Sequence, residues 1–210
     1  GMDEELRAPV EELAERARPG LGLEAVRLLD AHPGHRPPDR RDRIVRPRFM
    51  ECHRLAPFKP RSTDVDVVLD LMIHDIDIIL SLVPAEVAEV RATGVPVLTD
   101  SVDIANARIE FENGAVANVT ASRVSNKKQR RIRVFGRHSY HALDFGDSQV
   151  EVAHAVPNPS GGRPEITAER LTIAPQPPLD AELADFIDCV RHKRAPLVGG
   201  RTGLEALRVA

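Results

Sequence analysis

The chain has 210 residues, of which 42% are hydrophobic, 29% are charged and 3% are aromatic, and its formal net charge is −3. This length predicts one large domain, or one domain with a substantial extension, and the apolar content is sufficient for a sizeable core. The slight negative charge argues against nucleic acid or an anionic membrane as a partner. The lack of Trp, with one Tyr and six Phe, argues against a base-stacking surface.

The two cysteines, Cys52 and Cys189, are far apart in the sequence. We therefore expect reduced, buried thiols and no disulfide framework. No apolar run reaches the length of about 18 residues that spans a membrane, and the N-terminus lacks a basic segment followed by an apolar core. These features predict a soluble, cytoplasmic protein with no membrane partner.

The N-terminal fifth of the chain has a different composition from the rest. Residues 3–17 and 23–32 have the spacing of amphipathic helices, and a Pro- and Arg-rich stretch follows them. We therefore divide the chain into an N-terminal helical segment with its linker, residues 1–45, and a domain formed by residues 46–210.

The second part begins with a strand, FMECHRLA, and a long apolar helix over residues 64–83 follows. Several alternating strands come next, and the pair Asn113-Gly114 predicts a two-residue hairpin turn between two of them. Residues 179–193 form an amphipathic helix, and a further helix ends the chain. This order predicts an α+β fold: a large, mostly antiparallel open sheet with helices on one face.

The long helix has one polar stripe. At 100° per residue, Asp66, Asp70, His74, Asp77 and Ser81 fall within about 80° of one another. Buried charges are costly unless they are paired or used, so this stripe is the candidate site. The alternative is a core histidine satisfied by a helical neighbour. Two interpretations stay open for each of Asp66 and Asp77: contact with a substrate hydroxyl, or a structural role in capping or pairing.

Other charged residues near the helix have simpler interpretations. We expect Asp64 to be the helix N-cap and Asp75 to be a surface or interface charge. Arg54, Lys59 and Arg61 precede the helix and could hold a diphosphate, because arginine forks match phosphate oxygens. An ordinary, solvated basic loop explains these three residues equally well.

The segment VVLDLMIHDIDIIL resembles the glucose–fructose oxidoreductase/inositol dehydrogenase family, Gfo/Idh/MocA, at the first long helix of its C-terminal domain. The family pattern G-G-G-x-x-x-D-x-G-x-H-x-x-D is matched at Asp70, His74 and Asp77. The residues Asp64-Val65-Asp66 replace its glycine run and Met72 replaces its later glycine. With the strand order and the closing G-x-x-G-L-E-A-L, the resemblance covers residues 46–210.

The resemblance implies a substrate-binding and dimerisation domain of an oxidoreductase that acts on a secondary alcohol of a sugar or nucleotide sugar. His74 would then be the catalytic base and Asp70 its catalytic partner. Asp66, Asp77, Arg54, Lys59 and Arg61 would bind substrate. The stretch MECHRLAPFKPRSTDVD resembles the nucleotide-sugar branch of the family, that of the UDP-N-acetylglucosamine 3-dehydrogenases.

The resemblance also implies NAD or NADP, which the family holds in an N-terminal Rossmann domain with an E-K-P motif. This sequence has no G-x-G-x-x-G, and Phe58-Lys59-Pro60 lies in the wrong domain to be that motif. We therefore expect a truncated family member that binds no dinucleotide by itself. The alternative function is a non-catalytic sugar-binding or dimerisation module.

Two further expectations concern partners. We expect a homodimer, or a dimer of dimers, that pairs the sheet face away from the helices. Alternate residues there, Val102, Ile104, Val116 and Ala121 or their neighbours on the opposite pleat, would make part of that face too apolar to leave exposed. A divalent metal bound by the stripe is a weaker hypothesis, since the family needs none.

Overall fold

The structure is a computed structural model, and it describes residues 46–60, 64–158, 161–172, 178–196 and 199–210. The two helices expected at residues 3–17 and 23–32, the linker and Arg61 lie outside the described residues. The division at residue 45 therefore stays a prediction.

The described elements follow the order that the sequence predicts: a strand, a long helix, a run of strands and then helices. The strands are β1 (Phe49–Leu55), β2 (Val87–Val95), β3 (Ile104–Phe111), β4 (Val116–Ser122), β5 (Gln129–Phe135), β6 (Ser139–Asp144), β7 (Gln149–Val156) and β8 (Glu165–Thr172). A π-helical turn (Val68–Met72) leads into α1 (Ile73–Leu82), and α2 (Pro178–His192) and α3 (Gly200–Val209) follow the last strand. None of the described helices is both long and apolar enough to cross a membrane.

All eight described strands form one open sheet in the order β2-β3-β4-β1-β5-β6-β7-β8. The first strand lies inside the sheet, where it pairs parallel to β4 and antiparallel to β5. Every other neighbouring pair is antiparallel. The α+β class and the mostly antiparallel open sheet are therefore confirmed.

The core lies between the sheet and α1, which packs on β1 and β4 and against α3. Alternate residues of β1, Met50 and Cys52, point to the helices and are fully buried. They meet Ile76 and Ile79, the apolar side of α1. Complete burial of each such side chain stabilises the fold by about 1.5–3 kcal/mol. The helix position relative to β1 is therefore fixed by a dry interface.

The hairpin between β3 and β4 is present, but the two-residue turn expected at Asn113-Gly114 is wrong. The amide of Phe111 donates to the carbonyl of Ala115, and the amide of Gly114 donates to the carbonyl of Phe111. Among the residues of this loop, only Gly114 has a positive φ, 80°. A two-residue type I′ turn needs positive φ at both central residues, so the loop instead has the longer form with glycine in the left-handed position.

The sheet face away from the helices is more polar than expected. An ion pair joins Glu51 to Arg133 on the neighbouring strands β1 and β5, and a second joins Arg131 on β5 to Glu151 on β7, across the intervening β6. Ala121, which the expected apolar patch included, points to the opposite side and is fully buried there. Ile104 and Val116 do lie on the open face, in register with Ser122 and Phe49.

One buried histidine predicts acid sensitivity. His141 on β6 is 3% exposed, and its Nδ1 has no hydrogen-bond partner. Burial first, and the neighbouring His154 second, lower its pKa from 6.5 to about 4. The unfolded chain therefore binds the proton first, and stability is lost as the pH falls from about 6.5 to about 4. The loss from this residue is at most about 3 kcal/mol.

Urea unfolding followed by circular dichroism at pH 7 and pH 4.5 measures this loss. We expect His141→Phe to flatten the pH dependence, because the apolar ring removes the titrating group from the core. The matched control is His138→Phe, an exposed residue in the β5–β6 turn. An equal pH slope in wild type and His141→Phe would contradict the assignment.

Candidate functional site

The polar groups of the site gather at one end of the sheet, where β1 and β4 end and β5 begins. Two backbone hydrogen bonds hold the loops there together: Ala56 N donates to Ser122 O at 2.8 Å, and Ser125 N donates to Ala56 O at 3.1 Å. The amide of Val67 donates to the carbonyl of Val102 at 2.9 Å. The start of the helix is thus tied to the same end of the sheet.

A buried ion pair anchors this end, and sequence reasoning missed it. Arg123 donates from Nε to Asp103 at 2.8 Å and from Nη1 to the carbonyl of Val65 at 2.6 Å. Burial alone would raise the pKa of Asp103. The amides of residues 97–99 and the Arg123 guanidinium outweigh that effect and hold the pKa well below its usual range. The pair therefore joins β3, β4 and the segment that enters the helix.

The helix begins at a cap formed by Asp66. Its Oδ1 accepts hydrogen bonds from the amides of Val68 and Leu69, both at 3.0 Å. The N-cap expected at Asp64 is therefore wrong by two residues. Arg123 holds the carbonyl of Val65, and the helix begins only after that residue. Asp66 therefore has the structural role that sequence analysis left open for it.

The first turn is wider than in an α-helix. The amide of Ile73 donates to the carbonyl of Val68, five residues earlier. Such π-helical turns are often found at functional sites. Asp70 lies within this turn, and His74 lies in the first turn of α1.

The polar stripe is the outward face of the helix. His74 is exposed, and Asp70 and Asp77 are half-buried, whereas Met72 and Ile76 face the core. The structure thus brings Asp70, His74 and Asp77 to one accessible surface. Although both residues are described, it shows no hydrogen bond between the Asp70 carboxylate and the His74 imidazole, so Asp70 acts on the ring through its charge.

Asp75 does not have the expected surface or interface position. It is 3% exposed and forms a two-pronged ion pair with Arg54, whose Nε and Nη2 donate at 2.8 and 2.7 Å. The reason is geometric: Asp75 lies one residue beyond His74 and therefore points toward β1. Arg54 was expected to bind substrate, but its guanidinium is buried and already paired with a carboxylate.

The surroundings of His74 favour its neutral form. Protein atoms around the ring displace water and lower its pKa, and the charges of Arg54 and Arg130 lower it further. Asp75 and Asp70 raise it, but their combined effect is smaller. The imidazole therefore remains unprotonated, and able to accept a proton, to a lower pH than a free histidine.

The remaining expected residues are less tightly placed. Lys59 is exposed in the loop after β1, and Arg61 lies outside the described residues. Sequence analysis did not single out Arg130, although β5 was predicted and its alternation puts Arg130 on the helix side. Within the described residues, no group of three His, Cys, Asp or Glu side chains could hold a metal ion.

The described residues do not fit a dinucleotide. A dinucleotide site needs a parallel strand followed by a glycine-rich turn that opens a helix. In the described sheet only β1 and β4 are parallel, and β1 leads into the segment Ala-Pro-Phe-Lys-Pro. Within the described residues, therefore, no strand and turn have the form of a dinucleotide cradle.

An open, mostly antiparallel sheet, covered on one face by a helix with His and Asp on its outward side, places the described domain in the α+β class. Comparison with known families agrees, because residues 41–140 match the GFO/IDH/MocA C-terminal domain. The chain belongs to the GFO/IDH/MocA family, as the sequence resemblance implied.

Comparison with single proteins gives more specific matches than the family model does. The chain is 41% identical over 164 residues to the UDP-N-acetylglucosamine 3-dehydrogenase of Acidithiobacillus ferrooxidans, which covers 78% of this chain and 52% of that protein. A crystal structure of this dehydrogenase superposes with a TM-score of 0.72 at 40% identity, covering 80% of this chain and 54% of the other.

A more distant structure shows the same fold. Levoglucosan dehydrogenase in complex with NADH superposes with a TM-score of 0.63 at 17% identity, covering 89% of this chain and 58% of that one. The chain therefore spans about half the length of the relatives it matches.

Proposed function

We propose that this chain is the substrate-binding domain of an NAD(P)-dependent oxidoreductase that oxidises a secondary alcohol of a nucleotide sugar. The observation that supports this most is His74: an exposed imidazole with a lowered pKa, one turn from Asp70, on a surface shared with Asp77. The 41% identity to a UDP-N-acetylglucosamine 3-dehydrogenase supports a nucleotide sugar as the substrate class.

In this proposal His74 accepts the proton of the substrate hydroxyl. The neutral imidazole is the competent form, and the charge of Asp70 stabilises the imidazolium that results. Asp77, and the oxygen of Asp66 that the cap does not use, are proposed to accept hydrogen bonds from neighbouring sugar hydroxyls. Lys59, in the loop after β1, is proposed to contact the substrate, and so is Arg61, which lies outside the described residues. The NAD or NADP of the intact enzyme is proposed to bind outside the residues described.

A fusion protein tests this function. The N-terminal half of the A. ferrooxidans dehydrogenase would be joined to residues 46–210. The fusion would be given about 1 mM UDP-N-acetylglucosamine. Reduction of NAD or NADP would be followed at 340 nm, the absorbance wavelength of the reduced nicotinamide. We expect turnover by the fusion and none by the isolated chain. Substrate binding by the chain without turnover by the fusion would instead favour the non-catalytic sugar-binding module.

We also propose a homodimer, or a dimer of dimers, that pairs the open sheet faces. Besides the ion pairs, this face has an aromatic row on three neighbouring strands. Phe135 lies 6.0 Å from Phe49 and 5.1 Å from Tyr140 between ring centroids. Rows of this kind are typical of the buried centre of an interface. The interface would bury well above about 1,000 Å² in total.

Light scattering at micromolar concentration tests the dimer. We expect a mass of about twice 23.1 kDa for the chain and a monomer for Phe135→Asp. The matched control, Phe58→Asp, changes an exposed phenylalanine in the loop after β1. A wild-type mass of 23.1 kDa would contradict the proposal.

We propose a cytoplasmic location, because both cysteines are free thiols and disulfides are uncommon in that compartment.

A further inference from the structure

Arg130 lies at the site end of the sheet, directly beside Arg54. The two residues are register partners on β5 and β1, so their side chains leave the sheet on the same face. That face is the one covered by α1, since Arg54 reaches Asp75 there. Two guanidinium groups are thus placed side by side under the helix that has His74 on its outward side.

The two arginines differ in how their charges are balanced. Arg54 is fully paired with Asp75. Arg130 is half-buried, and in the described structure its guanidinium forms no hydrogen bond and no ion pair. Burial first, and the neighbouring charge of Arg54 second, lower its pKa, whereas Asp75 raises it. A half-buried cation without a protein partner keeps its donors accessible, so it can bind an anion by charge-assisted hydrogen bonds.

The surroundings of Arg130 are also basic. Lys127 and Lys128 precede it and are exposed, and Lys59 lies in the neighbouring loop. The hydrogen bond from Ser125 N to Ala56 O holds these two loops together. Positive groups from two loops and one strand therefore lie at the same end of the sheet. Arg130 is also near the helix turn that has His74, because its register partner Arg54 binds Asp75, the residue that follows His74.

We propose that Arg130 is the anion-binding residue of this site and takes the diphosphate of a nucleotide-sugar substrate, so that the sugar extends toward His74. The inference rests on the proposed function for the identity of the ligand. It puts Arg130 in the role that the sequence suggested for Arg54, because Arg54 is held by Asp75 through Nε and Nη2 whereas the Arg130 guanidinium has no partner among the described residues. A planar guanidinium can donate two parallel hydrogen bonds to phosphate oxygens, which fixes both position and orientation.

Calorimetric titration of the chain with UDP and with inorganic pyrophosphate tests the proposal. We expect both to bind to the wild type, more weakly as NaCl is raised, and both affinities to fall about tenfold or more in Arg130→Gln. Arg130→Lys should be intermediate, because lysine keeps the charge but loses the fork. Arg137→Gln is the matched control, since Arg137 is exposed at the other end of β5 and its loss changes the net charge equally.

The fold of the variant is checked by its thermal midpoint, which we expect to stay level or rise, because an unpaired half-buried charge is removed. Unchanged UDP and pyrophosphate affinity in Arg130→Gln, or no binding of either by the wild type, would overturn the inference. If pyrophosphate binding depends on Arg130 while the fusion does not oxidise UDP-N-acetylglucosamine, the anion site stands and the proposed function fails. If the fusion is active and Arg130→Gln leaves its KM unchanged, the proposed function stands and this inference fails.

Discussion

Replacing Asp75 with Asn is expected to lower the free energy of unfolding by about 3–5 kcal/mol, because Arg54 would stay buried without its charged partner. The carboxylate accepts two hydrogen bonds from Arg54, and both side chains are 4% exposed. Without it, a full positive charge remains in the core next to Cys52 and beneath His74. The loss should appear as a lower urea midpoint with an unchanged m-value.

Two controls separate the ion pair from the general effect of losing a charge. Asp147→Asn removes an exposed carboxylate in the turn after β6 and should change stability by less than about 0.5 kcal/mol. The double variant Arg54→Met/Asp75→Leu should recover most of the lost stability, because apolar side chains of similar size can replace a buried pair at little cost. A loss below about 1 kcal/mol in Asp75→Asn would show that the pair is not a structural anchor.

The pair also explains which parts of the site the sequence could predict. The alternation of β1 puts Met50, Cys52 and Arg54 on one face, and the apolar positions of the helix put Ile76 and Ile79 on another. Both patterns are local, and both predicted elements are present. The contact between Arg54 and Asp75 joins residues 21 positions apart. It depends on how the helix crosses β1, which no local pattern specifies.

The same reason accounts for Arg130 and Asp103. Arg130 becomes a neighbour of Arg54 only through the register of β5 on β1. Asp103 becomes a partner of Arg123 only because β3 and β4 meet at the end where the helix starts. A charged residue at an inward position of a predicted strand is a usable signal. Arg54 and Arg130 are at such positions, and Asp103 lies one residue before a predicted strand. The signal indicates a buried partner but does not say which residue it is.

Replacing His74 with Ala in the active fusion should lower kcat by about 10²–10⁴, the usual contribution of a general base. The neutral imidazole is the form that accepts the hydroxyl proton, and its lowered pKa keeps that form dominant at neutral pH. The acid limb of the kcat/KM profile should therefore lie below the ordinary histidine pKa of 6.5. His138→Ala, at an exposed histidine in the β5–β6 turn, should leave kcat unchanged.

Asp70→Asn distinguishes a catalytic role from a structural one. The Asp70 charge raises the pKa of His74, so its removal should move the acid limb of kcat/KM to a still lower pH and weaken the base. The expected fall in kcat is smaller than for His74→Ala, since the structure shows only a charge interaction between the two. A structural role would change the unfolding midpoint but not the pH profile, and Asp147→Asn should change neither. Near-normal kcat in His74→Ala, with an intact fold, would show that the proton acceptor is another group.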